Sequence, residues 1–262
     1  MFCNNRKREP SKVKTNSPMP FSRNNQTSPQ VYARIAGFLY LINIATGMFG
    51  ELFVRAKLVT GNAAATADNI LAHAHLWRIG IAGDLLMQVT DLPIMLIFYI
   101  LLKPVNKNLA LLALLFDLIQ TAVLVANKLN LFTAMFLING GSNLSAIDPH
   151  QLHALAYLYI TLHEYGFGVG LIFFGFECLF TGYLIFKSGY LPKALGIMIQ
   201  VAGLCYLTNS FAMVVAPKFA NTMILAPAFI AELSFCLWLL IKGVNVEKWN
   251  ERLQINAANA AI

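Results

Sequence analysis

Six stretches of the chain are each apolar over enough residues to cross a lipid bilayer, and this feature limits the fold more than any other. A membrane-spanning helix needs about 20 mostly apolar residues, and helices satisfy their own backbone hydrogen bonds in lipid. The six stretches are residues 31–54, 77–102, 109–138, 157–186, 194–216 and 222–241. We therefore predict an all-α integral membrane bundle of about six transmembrane helices.

The remaining residues form two tails and short loops, so one domain accounts for the chain. With 58% hydrophobic and 12% charged residues, the sequence is too apolar for an ordinary soluble domain. Residues 1–30 are polar and basic, and we expect a disordered cytoplasmic tail there. Residues 31–245 form the predicted transmembrane domain, and residues 246–262 a short cytoplasmic tail.

The net charge of +7 would suggest a nucleic-acid partner in a soluble protein. Here Lys and Arg occur mainly in the tails and at the ends of the apolar stretches, whereas residues 139–156 contain neither. By the positive-inside rule, we expect both termini in the cytoplasm and the protein in a bacterial inner membrane. The bilayer is the expected partner, and no nucleic acid is expected.

Polar residues share one face of the second and third predicted spans. Asp84, Gln88 and Asp91 follow helical spacing in the second span, as do Asp117 and Lys128 in the third. Charged side chains inside a membrane avoid lipid and mark interior sites. Counting depth at about 1.5 Å per residue along antiparallel neighbours places Lys128 beside Asp84 and Asp117 beside Asp91. We predict an Asp84–Lys128 salt bridge.

Two further acids, Glu177 and Glu232, fall near the middle of the fourth and sixth spans. With Asp91 and Asp117 they form four carboxyl groups at a depth where we expect no Lys or Arg. The cluster either binds a proton or a small cation, or consists of neutral acids that join helices by hydrogen bonds. The candidate ligand, proton or cation site comprises Asp84, Gln88, Asp91, Asp117, Lys128, Glu177 and Glu232.

Glycines recur at helical spacing in the first and fourth spans, where small residues let helices approach closely. Gly47 and Gly50 mark the packed face of the first span, and Gly166 and Gly170 that of the fourth. The Gly-Phe-Gly-Val-Gly run at 166–170 follows no predicted strand, so it indicates packing and not a nucleotide fingerprint. No cofactor is expected.

Short residue patterns at the outer ends of two spans predict an ion pair and the start of a helix. Glu51 and Arg55 are four residues apart, and we expect an ion pair at the membrane interface. Asp148 and Pro149 predict the start of a helix. The apolar run that follows exceeds what a bilayer requires, so either the fourth span protrudes or a separate interfacial helix precedes it.

The five histidines all fall on the predicted outer side. A His-x-His pair and a His-x-x-His pair can each present two imidazoles to one metal ion. The spacing is loose, and nothing in the sequence brings the pairs together, so no metal is assigned. The candidates are His73, His75, His150, His153 and His163.

Several stretches together resemble a bacterial family of multi-pass membrane proteins, domain of unknown function 4386. They are ARIAGFLYL, ELFVR, GIAGDLLM, LLKPVN, HEYGFGVGLIFFG, TGYLIFKSGYLPKALG and ELSFCLWLLIKGVN. The resemblance covers roughly residues 31–245. It implies a multi-pass membrane protein and carries over no catalytic or binding residue.

Three function classes stay open. A polar interior favours a protein that binds or carries a small ligand, proton or cation. A membrane-embedded enzyme acting on a lipid-like substrate is the alternative, although the sequence contains no recognisable nucleophile and base. A structural or sensory partner protein is the third. A cavity that reaches from Asp84 to Asp91 would favour the carrier, and a closed, dry bundle the partner role.

Overall fold

The computed structural model describes residues 28–141 and 144–260. For residues 259 and 260 it describes the backbone only. Among those residues the regular structure is entirely helical, with no strand. Six helical runs are long and apolar enough to span a membrane: Pro29–Leu58, Ala74–Leu102, Lys107–Asn139, Pro149–Ser188, Lys193–Val215 and Thr222–Ile241. The predicted six-span all-α bundle is confirmed.

The helices are α1 (Pro29–Met48), α2 (Ala56–Leu58), α3 (Ala63–Ala72), α4 (Ala74–Leu102), α5 (Lys107–Asn139), α6 (Pro149–Ser188), α7 (Lys193–Val215), α8 (Ala226–Ile241) and α9 (Val246–Ala260). Several begin at residues that cap them. Asn106 Oδ1 accepts from the Leu109 amide before α5, and Asp148 Oδ1 accepts from the His150 amide before α6. The helix start predicted at Asp148 is confirmed.

A π-helix at Phe49–Arg55 joins α1 to α2 within the first span. A π-helix has more residues per turn than an α-helix, so it rotates the side chains that follow it. Gly50 lies against the Asp84 carboxyl group and Gly47 against the Met87 side chain of α4. The predicted packed face of the first span is therefore confirmed.

The six spans form a closed ring. Each packs against the next in chain order, and α8 returns to pack against α1. At this closure Gly37 leaves room for the backbone of Leu240, and Cys236 Sγ donates to the Gly37 carbonyl at 3.3 Å. The small residues predicted on α6 do face α5, since Gly166 lies against the Asn127 side chain.

We call the end of the ring where α4 and α8 finish the basic end, because exposed lysines surround it: Lys103, Lys107, Lys187, Lys193, Lys242 and Lys248. Gln30 joins the first span to the last there, since its Nε2 donates to the Lys242 carbonyl and its Oε1 accepts from the Val244 amide. The first and last described residues therefore lie at one end. The predicted tail at 1–30 lies outside the described residues, apart from 28–30.

Residues 246–260, predicted only as a short tail, form α9 against the basic end. Trp249 Nε1 donates to the Leu101 carbonyl at 3.1 Å, and the Tyr190 hydroxyl donates to the same oxygen at 2.6 Å. Asn256 Nδ2 donates to the Pro104 carbonyl at 2.6 Å. Hydrogen bonds from two segments therefore hold the turn after α4.

The fourth span is one uninterrupted 40-residue helix, α6. At 1.5 Å per residue it is about 60 Å long, roughly twice the hydrocarbon thickness of a bilayer. The sequence left open whether a separate interfacial helix precedes the fourth span, and residues 149–188 instead form a single helix. The helix α3 packs against α6 at the end opposite the basic end, where Thr66, Ala67 and Ile70 are buried.

Candidate functional site

A cavity of about 250 Å³ lies in the middle of the ring. By volume this corresponds to roughly eight molecules of liquid water. All six spans contribute to its wall, and four of them each contribute one carboxyl group: Asp91, Asp117, Glu177 and Glu232. Within the described part of the chain, none of the lining residues is Lys, Arg or His.

The first pair of acids, Asp91 and Asp117, joins α4 and α5. Thr121 Oγ1 donates to Asp91 Oδ2 at 2.9 Å, and Asn43 Nδ2 lies 3.5 Å from Asp91 Oδ1. Asp117 is 4% exposed, and its Oδ1 has no hydrogen-bond partner. The predicted proximity of Asp117 to Asp91 is confirmed, because the two carboxyl groups interact directly.

The other two acids each accept one hydrogen bond from a hydroxyl group. Thr181 Oγ1 donates to Glu177 Oε1 at 2.5 Å, and both residues belong to α6. The Tyr206 hydroxyl of α7 donates to Glu232 Oε1 of α8. Nearby, Gln88 is 2% exposed, and its Oε1 has no partner. Gln88 Oε1 and Asp117 Oδ1 are therefore buried oxygens of the wall that have no hydrogen-bond donor.

Aromatic rings cover the rest of the wall. Tyr40, Phe98 and Phe235 contact one another, with ring centroids 5.4 to 6.5 Å apart. Phe174 packs against the Tyr206 ring at 5.1 Å. All five line the cavity. It therefore combines an acidic surface with an aromatic one.

A separate group of buried charges lies towards the end opposite the basic end. Lys128 Nζ is 2.9 Å from Asp84 Oδ2, which confirms the predicted salt bridge. Arg55 Nη1 reaches the same oxygen at 2.6 Å, and Arg55 Nε is 2.9 Å from Glu51 Oε2. The predicted Glu51–Arg55 pair is also confirmed, but Glu51 is the exposed edge of a network of four charges whose other members, Arg55, Asp84 and Lys128, have side chains at most 12% exposed.

His163 extends this network into α6. Its Nε2 is 3.1 Å from Lys128 Nζ. Because an ammonium group can only donate, Nε2 must accept, so the imidazole is neutral and carries its proton on Nδ1. Asn127 Nδ2 also donates to the His163 carbonyl at 2.9 Å. The network therefore links the first, second, third and fourth spans.

The seven predicted candidates divide between these two places. Five line the cavity, namely Gln88, Asp91, Asp117, Glu177 and Glu232. The other two, Asp84 and Lys128, pair with each other outside its lining. On α4 the cavity extends from Met87 to Phe98 and stops short of Asp84, so a cavity from Asp84 to Asp91, the feature expected of a carrier, is present only in part.

The histidines are not brought together. His73, His75 and His150 are exposed, His153 is half-buried, and His163 is buried beside Lys128. Among the described residues, no group of three His, Cys, Asp or Glu side chains is placed to hold a metal ion.

Several residues of these sites were not among the predicted candidates. Arg55, which we expected to pair with Glu51, also binds Asp84, and Asn43 lies 3.5 Å from Asp91. Tyr40 and Tyr206 both lie beside Glu232, the former by its electrostatic interaction and the latter by its hydrogen bond. Their signal in the sequence is a tyrosine inside an apolar span, because a buried phenol requires a partner.

Comparison with known proteins places the chain in a family. The family described as Domain of unknown function (DUF4386) matches residues 35–243. An "Uncharacterized protein" of Archaeoglobus fulgidus is 29% identical over 165 residues, which cover 62% of this chain and 83% of that protein. No solved structure gives a significant match. Because the matched region includes all six spans almost completely, the chain belongs to the family Domain of unknown function (DUF4386).

Proposed function

We propose that this protein binds a small cation in its central cavity, in competition with protons, and carries it across the membrane. The observation that supports the proposal is the convergence of four carboxyl groups, from four different spans, on one cavity whose described lining has no basic residue. The matching family and relative name no function, so the proposal is based on this geometry.

The physical argument starts from the cost of charge in lipid. An ionised side chain at the centre of a membrane costs about 2.5–3.5 kcal/mol on insertion scales. Several carboxylates in one cavity also repel each other. Either protons or a cation must therefore neutralise the lining, and the same oxygens cannot hold both. Binding of a cation thus releases protons, which is the linkage that an exchange carrier requires.

The alternative of neutral acids that only join helices fits three of the four. Asp91 accepts from Thr121 of α5, and Glu232 accepts from Tyr206 of α7, so each of these bonds connects two spans. Glu177 accepts from Thr181 of its own helix and thus adds no such link. Asp117 of α5 contacts Asp91 of α4, but its Oδ1 has no hydrogen-bond donor. Glu177 and this unpaired oxygen therefore favour binding over packing alone.

Proton release tests the binding step. Na⁺, K⁺, Mg²⁺ and a series of organic ammonium ions are added separately to purified protein in weakly buffered detergent, with a pH indicator dye. We expect at least one cation to release protons from the wild type. Asp117→Asn and Glu177→Gln should reduce the release, whereas the exposed Glu164→Gln on the same helix as Glu177 should not.

Two results would contradict the binding proposal: no cation releases protons, or both amide variants release as many as the wild type while remaining folded. The carrier step is tested in proteoliposomes loaded with a pH dye. A cation that releases protons in detergent should drive proton movement across vesicles containing the wild type and not across vesicles containing Asp117→Asn. Equal movement in both would reject transport.

We also propose that the basic end faces the cytoplasm of a bacterial inner membrane, because exposed lysines surround it. The substitution Lys248→Cys places a thiol at that end, and Gly61→Cys places one at the opposite end, where Gly61 is exposed. A membrane-impermeant maleimide added to intact cells should label Gly61→Cys and leave Lys248→Cys unlabelled until the cells are lysed. The reverse pattern would reject this orientation.

A further inference from the structure

We infer that the ligand of the cavity is a primary organic ammonium ion with a compact apolar body, and not a bare inorganic cation. This inference rests on the proposed function and narrows it to one class of substrate. Three features of the cavity support it: unpaired acceptors, aromatic walls and a limited volume.

The unpaired acceptors require a ligand that donates hydrogen bonds. Gln88 Oε1 and Asp117 Oδ1 both belong to cavity-lining residues that are almost fully buried, and neither oxygen has a partner. A buried acceptor without a partner is costly, and native structures contain few of them. An –NH₃⁺ group carries three N–H donors together with the positive charge that the acids require. A quaternary ammonium ion has the charge but no donor.

The aromatic walls favour an organic body over a bare ion. Phe98 and Phe235 lie in the Tyr40 cluster, and the Phe174 ring packs at a tilt against Tyr206. Cations bind favourably over aromatic faces, and more strongly where water is excluded. By contrast, Ca²⁺ takes six to eight oxygen ligands, and Mg²⁺ requires a nearly complete octahedron. The wall interleaves carboxyl groups with aromatic rings, and the ring faces add nothing to such an oxygen shell but can contact an organic cation.

The volume of the cavity limits the size of the apolar part of the ligand. The cavity holds about 250 Å³, just below the ~300 to 1,000 Å³ of sites for drug-sized ligands. A single ring or a short branched chain beside an ammonium group fits this space, and a two-chain lipid does not. The inferred ligand is thus smaller than a membrane lipid, and one end is charged.

Calorimetry with chemically matched probes tests this inference. The probes are methylammonium, butylammonium and 2-phenylethylammonium, the N,N,N-trimethyl analogue of the last, the neutral 2-phenylethanol, and Na⁺ and K⁺. We expect affinity to rise at least tenfold from methylammonium to 2-phenylethylammonium. Trimethylation or removal of the charge should each weaken binding at least tenfold, and Na⁺ and K⁺ should bind more weakly than the best ammonium ion.

Two variants separate the contributions of the wall. Phe98→Ala should weaken 2-phenylethylammonium at least fivefold and leave methylammonium almost unchanged. Gln88→Met keeps the side-chain volume and removes the unpaired oxygen, so it should reduce the preference for the primary over the trimethyl ion. Phe136→Ala, which alters a ring that is 59% exposed on α5, is the matched control.

The results distinguish the two proposals. If Na⁺ or K⁺ releases protons and binds at least as tightly as every ammonium ion, the ligand class is wrong and the cation site remains. Equal binding of the primary and trimethyl ions would also overturn the inferred class. If no cation binds, or if Asp117→Asn binds all probes as the wild type does, both proposals fail.

Discussion

Replacement of Asp84 by Asn should be the most damaging single change in the buried charge network. The Asp84 side chain is 1% exposed and lies between two cations, Arg55 and Lys128. The amide has nearly the same size as the carboxylate, so packing is preserved and the change isolates the charge.

The loss in the free energy of unfolding can be worked out from the contacts of Asp84. Two cations and two carboxylates balance in the wild type, because Glu51 also pairs with Arg55. After the substitution, the Lys128 side chain, which is 2% exposed, has no anionic partner and only two neutral acceptors, His163 Nε2 and the introduced amide oxygen. At 2.9 Å and an effective dielectric constant of about 20, the lost attraction is about 6 kcal/mol before desolvation is counted. Since breaking a buried pair typically costs about 3–5 kcal/mol, we expect that loss in the free energy of unfolding.

Two other substitutions in the network should destabilise the protein less than Asp84→Asn does. Lys128→Met should cost less, about 1.5–3 kcal/mol, because Asp84 keeps Arg55 as a charged hydrogen-bond donor. Glu51→Gln should cost under about 1 kcal/mol, since the Glu51 side chain is 64% exposed and surface pairs contribute little. The double variant Asp84→Asn/Lys128→Met should be more stable than Asp84→Asn alone, because it removes the unpaired buried charge.

The assay is equilibrium unfolding in mixed micelles titrated with sodium dodecyl sulfate and followed by circular dichroism. The free energies of the two single variants and the double variant complete a double-mutant cycle. If Asp84→Asn were no more destabilised than Glu51→Gln, the charges would not be effectively buried. A double variant less stable than Asp84→Asn would likewise refute the argument from unpaired charge.

Three further substitutions test other parts of the fold in the same assay. Gly37→Ala should cost about 1–3 kcal/mol, because its Cβ would lie 2.5 Å from the backbone nitrogen of Leu240 and push α1 from α8; an unchanged stability would mean that the ring is not tightly closed there. Burial raises the pKa of Tyr190, so the stability it contributes is present below pH about 10 and is lost as the pH rises further. Tyr190→Phe should cost about 1 kcal/mol at neutral pH by removing the bond to Leu101, and should reduce the loss of stability above pH 10; equal alkaline loss in both proteins would contradict this. Asp148→Ala should cost about 1 kcal/mol by removing the cap of α6, and Asp148→Asn, which also caps, should cost much less.

Sequence alone predicted the spans and the contacts between neighbouring helices. Apolar length indicates a membrane helix directly, and a short loop forces consecutive spans to run antiparallel side by side. Depth counting therefore placed Lys128 opposite Asp84, and both belong to one salt bridge in the structure. The same arithmetic placed Asp117 beside Asp91.

The position of Arg55 could not be predicted in this way. Counting at 3.6 residues per turn assumes a regular α-helix, and the π-helix at Phe49–Arg55 breaks that assumption. The sequence FGELFVR contains no residue pattern that predicts a π-helix, and Glu51, four residues before Arg55, is a suitable partner in a regular α-helix. The contact of Arg55 with Asp84 therefore could not be predicted from helical spacing.

Contacts that depend on how a helix is rotated about its own axis could not be predicted either. Glu232 was predicted as a deep acid, but its neighbour Tyr206 depends on how α8 faces α7, which a helical stripe alone does not determine. The helix α9 did leave a signal, since Trp249 and Leu253 are four residues apart and both are at least half-buried. Because the composition of α9 is polar, residues 246–260 were predicted as part of a tail and not as a helix.

Closure of the ring by α8 fixes when the cavity can exist during biosynthesis. The ribosome delivers Asp91, Asp117 and Glu177 with the second, third and fourth spans, while the helix that seals the wall is the last membrane segment to emerge. Without α8 the cavity wall lacks the side that α8 provides, so no helix separates its polar residues from lipid there. We therefore expect a ribosome-stalled product that ends before Thr222 to be degraded faster than the finished protein.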